Sequence, residues 1–115
     1  MKSPDAVIAL EGLAQESRLG IFRLLVVAGP EGLPAGKIAE RMGLPAPTLS
    51  FHLSQLKNAG LIACRRDGRS LFYSADFAAT NELVAFLTEN CCGGNASQCA
   101  PARIGPKAKL KRRSR

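Results

Sequence analysis

A chain of 115 residues that is 46% hydrophobic is long enough for one small core and too short for two ordinary domains. No stretch approaches the roughly 18 consecutive apolar residues of a membrane span, and Met1-Lys2-Ser3-Pro4-Asp5 lacks the regions of a signal peptide, so the expected address is cytoplasmic, with no membrane partner. The net charge of +7 is uneven: residues 1–100 balance their basic and acidic side chains, and the excess lies in the tail from Arg103 to Arg115, so 101–115 is expected to be a disordered basic segment.

In chain order, Val7, Leu10, Leu13 and Ala14 recur at helical spacing, and after Glu16-Ser17 a second run through Leu19, Ile21, Phe22, Leu24, Leu25 and Ala28 continues to Gly29-Pro30. Two helices are predicted there. A short helix from Ala35 to Met42 carries Ile38, Ala39 and Met42 on one face and stops at Gly43. Pro45 and Pro47 forbid its continuation, yet Pro47 suits the start of a new helix, whose Leu49, Leu53 and Leu56 follow at i, i+4 and i+7 up to Gly60.

Leu61 to Arg66 and Arg69 to Ala75 are strand-like and flank Asp67-Gly68, a hairpin turn signal. From about Asp76 to Cys92 the pattern is helical again, with Leu83, Val84, Phe86, Leu87 and Cys91 on a wide apolar face and Asp76 or Thr80 as its cap. So broad a face in so small a domain predicts packing on a second copy. The expected fold is mainly α with a small β-hairpin, a homodimeric winged helix-turn-helix in the order α-α-α-α-β-β-α.

With Leu49, Leu53 and Leu56 inward, Pro47, Thr48, Ser50, Phe51, Ser54, Gln55 and Lys57 occupy the other face. Thr, Ser and Gln exchange hydrogen bonds with base edges, an apolar ring contacts a thymine methyl, and Lys57 suits a phosphate. Arg65, Arg66 and Arg69 surround the hairpin turn, where a wing meets the backbone or minor groove of double-stranded DNA. His52 has no second histidine with which to share a metal and is expected to pack at the core edge. Cys64, inside a strand, is expected to be a small half-buried residue.

Cys91, Cys92 and Cys99 fall within nine residues, where the last apolar run at helical spacing stops at Gly93-Gly94. In a reducing compartment such thiols ligate or respond to redox state more often than they brace a fold. Neither a Gly-rich loop nor a Cys-x-x-Cys pair is present to support a thiol enzyme.

Leu13-Ala14-Gln15-Glu16-Ser17-Arg18-Leu19, Ser50-Phe51-His52-Leu53 through Leu56, Ala59-Gly60-Leu61, and Arg66-Asp67-Gly68-Arg69 with Phe72-Tyr73 resemble the ArsR/SmtB metalloregulatory repressors over about residues 7–92. The resemblance implies a homodimer that binds an imperfect palindrome in operator DNA and dissociates when its inducer binds, with the first and last helices forming the dimer interface. Many members carry a Cys-x-Val-Cys-type motif in the first helix of the helix-turn-helix, where this chain reads Pro34-Ala35-Gly36-Lys37-Ile38-Ala39-Glu40. Zinc-sensing members carry His and acidic ligands on the last helix, where only Glu82 and Glu89 stand here.

What remains is similar to the arsenic-responsive subgroup, whose thiolates sit at the end of the last helix, as Cys91, Cys92 and Cys99 do here. Three thiolates suit a trigonal centre such as As(III) or Sb(III) better than tetrahedral zinc, making these ions the expected inducer rather than a resident cofactor. A redox-responsive or Zn(II)-responsive repressor is the alternative. The expected organisation is a DNA-binding and dimerisation domain over 1–92, a Cys-containing inducer loop over 93–100, and the basic tail.

Overall fold

The computed structural model describes residues 1–94. Five α-helices, α1 (Ser3–Leu13), α2 (Glu16–Ala28), α3 (Ala35–Met42), α4 (Ala46–Asn58) and α5 (Phe77–Leu87), surround a small antiparallel sheet of β1 (Leu33–Pro34), β2 (Ile62–Asp67) and β3 (Ser70–Ala75) in the order β1-β3-β2. This is the expected winged helix-turn-helix, with one short strand added between α2 and α3.

The core sits where α2, α3, α4 and the base of the hairpin meet. Ile21, Leu25, Ile38, Leu56 and Leu61 are its largest fully buried side chains. Local chemistry sets the helix limits. The Gln15 side chain accepts the Arg18 amide hydrogen at 2.8 Å to start α2, and Asp76 accepts that of Ala79 at 3.0 Å to start α5. At the end of α3, Gly43 adopts the left-handed conformation (φ 67°, ψ 34°) and the Leu44 amide returns to the Ala39 carbonyl at 3.1 Å, which sets the tight turn into α4.

Four details refine or differ from the sequence reading. First, α1 buries Ala6, Ala9 and Gly12, while Val7, Ile8 and Leu10 remain about half exposed. The reason is close approach: a Cβ at Gly12 would lie 2.7 Å from that of Ala59, so α1 crosses the end of α4 on its small face.

Second, the hairpin turns at Gly68-Arg69, with Asp67 opposite Ser70, one residue later than expected. A turn at Asp67-Gly68 would set Arg66 against Arg69, a like-charge pair, whereas the observed register sets Arg66 against Leu71 and gives Gly68 its positive φ of 66°. Third, β1 pairs Leu33 with Tyr73 and Pro34 with Phe72. Gly32 just before it lies so close to β3 that a Cβ would overlap the Tyr73 carbonyl.

Fourth, α5 stops at Leu87 instead of running to Cys92. The Thr88 hydroxyl donates back to the Val84 carbonyl at 2.9 Å, and Asn90 takes a left-handed φ of 58°. Cys91 and Cys92 therefore lie after the helix, in a short 3₁₀ turn over Cys91–Gly94, so the chain leaves the helix before Gly93-Gly94.

Candidate nucleic-acid interface

The helix-turn-helix is α3, the Gly43 turn and α4. Inward on α4 lie Leu49, His52, Leu53 and Leu56, all buried, which confirms the packed position expected of His52. Its Nδ1 has no hydrogen-bond partner among the described residues. Outward and exposed lie Pro47, Thr48, Ser50, Phe51, Ser54 and Lys57. Phe51 is 58% exposed despite its size, so its ring is presented to whatever lies against the helix.

Two flanks of α4 differ. On one, a cleft of about 250 Å³ is lined by Ser50, Leu53, Ser54, Lys57 and Tyr73, joining the helix to the wing. On the other, half-buried Gln55 lines a smaller cleft of about 150 Å³ with Ile8, Glu11 and Gly12 of α1. The structure therefore groups Ser50, Ser54 and Lys57 with the wing and leaves Gln55 beside α1.

Tyr73 was not among the sequence-derived site residues. The only signal that finds it is the pleat: Ile62, Cys64 and Arg66 of β2 stand opposite Ala75, Tyr73 and Leu71 of β3 and share one face of the ribbon. The phenol of Tyr73 is held above its ordinary pKa, first by burial and then by the Cys64 side chain, to which it is hydrogen-bonded. Cys64 is half-buried, as expected.

The three wing arginines are not equivalent. Arg66 shares the face of Tyr73, turned to α4, and Arg69 occupies the exposed turn. Arg65 lies on the opposite face. Its Nη2 donates to the Glu31 carbonyl at 2.9 Å, its Nη1 is 3.7 Å from Asp67 Oδ2, and its guanidinium carbon lies 4.8 Å from the centre of the Phe72 ring. Hydroxyls, a ring and cations on a helix beside a projecting cationic ribbon can exchange hydrogen bonds with base edges and hold phosphates.

The sequence-predicted thiol cluster is described in part. Cys91 is half-buried and Cys92 exposed in the turn after α5, with Cys92 at φ 55°. Cys99, the third expected ligand, lies outside the described residues, as does the basic tail. Among the described residues no three His, Cys, Asp or Glu side chains gather to hold a metal ion, and no helix is long and apolar enough to cross a membrane.

Comparison with known proteins agrees with this geometry. The family described as a helix-turn-helix domain matches residues 13–65. The HTH-type transcriptional regulator YceK of Bacillus subtilis is 39% identical over 77 residues, covering 64% of this chain and 76% of that one. The proposed arsenical resistance operon repressor ArsR of Halobacterium salinarum is 36% identical over 76 residues, 66% of this chain and 58% of that one.

Among solved structures, the homodimeric winged helix-turn-helix DNA-binding domain of Mb0332 from Mycobacterium bovis, a possible ArsR-family transcriptional regulator, superposes with a TM-score of 0.60 at 26% identity, covering 80% of this chain and 85% of that one. Fold, relatives and the outward face of α4 lead to one assignment: the chain is a helix-turn-helix transcriptional regulator of the ArsR/SmtB family.

Proposed function

We propose that the chain acts as a homodimeric repressor of an arsenic-resistance operon, binding double-stranded operator DNA through α4 and the β2-β3 wing and leaving it when As(III) or Sb(III) binds Cys91, Cys92 and Cys99. The observation that carries the DNA reading is the cleft between α4 and β3, where Ser50, Ser54 and Lys57 adjoin the face bearing Arg66. Self-association is supported by the apolar side chains that α1 and α5, packed on one another, leave outside: Val7, Ile8, Leu10, Val84 and Leu87. The homodimeric state of the Mb0332 domain supports it too.

The inducer reading rests on the turn after α5. Adjacent residues of a helix point about 100° apart, which would separate two neighbouring thiols. Cys91 and Cys92 lie beyond the helix, in a turn preceded by positive φ at Asn90 and containing positive φ at Cys92. Two thiols there need a third donor for a trigonal site, and Cys99 is proposed as that donor. The arsenical repressor among the relatives supports the same inducer class. Release requires that the inducer favour the DNA-incompetent form.

A mobility shift on a duplex selected by the protein from a random pool tests the reading. Arsenite or antimonite is expected to release the DNA, with Zn(II) and peroxide failing to do so. Normal arsenite release by a Cys99→Ser protein would sink the three-thiolate assignment, and release by peroxide alone would favour the redox alternative.

A further inference from the structure

Arg65 crosses the whole sheet on the face turned away from α4. It starts on the outer strand β2, directly opposite Phe72 of β3, and Phe72 is in turn opposite Pro34 of β1. The guanidinium lies over the Phe72 ring, and its Nη2 reaches the Glu31 carbonyl in the loop leading into β1. One side chain thus spans from the free strand of the wing to the connection between α2 and α3.

That connection is otherwise held to the wing by a strand of only two residues, one of them a proline without an amide hydrogen. The base of the ribbon is buried among the helices at Ile62 and Ala75, but a projecting two-stranded ribbon is marginal in water, so the angle of its outer part depends on what else ties it down.

We propose that Arg65 is a positioning residue: it fixes the angle of the wing relative to α3 and α4, so that Arg66 and Arg69 meet the DNA backbone, and does not itself bind a phosphate. The proposal rests on the reading that the wing meets DNA. Its chemistry needs a planar guanidinium, because a flat cation stacks on the ring while a fork of N–H groups serves the carbonyl and Asp67 together. A lysine keeps the charge and loses that geometry.

The test is duplex affinity of the full chain as a function of salt, measured per active protein by stoichiometric titration. Each phosphate contact contributes about 0.9 to the slope of log affinity against log salt. Arg66→Ala and Arg69→Ala are expected to flatten that slope. Arg65→Ala and Arg65→Lys are both expected to weaken binding about three- to tenfold at a slope close to the parent's. Phe72→Leu is expected to do the same, and the Arg65→Lys, Phe72→Leu double variant to add little.

A slope flattened by Arg65→Ala and restored by Arg65→Lys overturns the proposal, since the cation then acts on phosphate directly. So does a lowered melting temperature with unchanged affinity per active protein, which is a stabilising role alone. Unchanged affinity and slope in Arg66→Ala and Arg69→Ala proteins instead refute the DNA reading of the wing, a result distinguishable from both.

Discussion

Gly32→Ala probes the attachment of β1, with Gly43→Ala as its control. Both glycines have positive φ, 75° and 67°, but a Cβ at Gly43 meets nothing within 4 Å, whereas one at Gly32 would overlap the Tyr73 carbonyl oxygen and lie 2.8 Å from its carbon. The control substitution bears only the left-handed backbone term, about 1–2 kcal/mol. At Gly32 the same term applies, and β1 must also withdraw from β3, forfeiting about 1–2 kcal/mol of strand hydrogen bonding. The sum is about 3 kcal/mol, against the roughly 5–14 kcal/mol that about 0.05–0.15 kcal/mol per residue allows a domain of this size.

Urea denaturation at fixed protein concentration reads the two values. Gly32→Ala is expected to lose about twice as much stability as Gly43→Ala, and to weaken duplex binding in proportion to the freed wing. Equal losses in the two variants would refute the close approach between the Gly32 loop and β3.

Tyr73 is the chain's one tyrosine and there is no tryptophan, so phenolate absorbance reports it alone. Its midpoint is expected above 10.0 in the folded protein and to return to that ordinary value in urea, with Cys64→Ala lowering it only in part because burial is the larger cause. A folded-state pKa that is raised means the native state holds this proton more tightly. That contribution is complete below pH 10 and is lost as pH climbs through the raised value, a decline that Tyr73→Phe should flatten. Asp76→Ala removes the cap of α5 and should cost about 1 kcal/mol in the same urea assay, with Asp76→Asn recovering most of it. Ser50→Ala and Ser54→Ala should each reduce discrimination between selected and scrambled duplexes by about 1 kcal/mol, leaving the salt slope unchanged; equal weakening on both duplexes would place these hydroxyls on the backbone instead.

Large apolar side chains made most of the fold legible. Ile21, Phe22, Leu25, Ile38, Leu49, Leu53 and Leu56 are buried at the spacing that predicts their helices. In α1 the same spacing gives the helix but not its inner face, because Gly12 against Ala59 demands small residues inside and sends Val7, Ile8 and Leu10 outward. No local pattern announces β1, since two residues become a strand only through pairing with β3, forty positions away. The hairpin turn was displaced by cross-strand charge, which a turn dipeptide does not encode.

In the site, the face of α4 followed from periodicity, but its division into a wing side and an α1 side depends on tertiary packing. Hence periodicity alone groups Gln55 with Ser50 and Ser54, and gives no sign of Tyr73. The early end of α5 turns on a threonine hydroxyl bonded to its own helix, a choice that residue spacing cannot display.

The strand order β1-β3-β2 has a consequence for solubility. Among the described residues no strand pairs with the outer side of β2, whose backbone groups there could template another chain. That strand ends in Arg65, Arg66 and Asp67, charges that make stacking a second copy in register unfavourable. The ribbon's cations therefore act as gatekeepers against sheet growth between molecules.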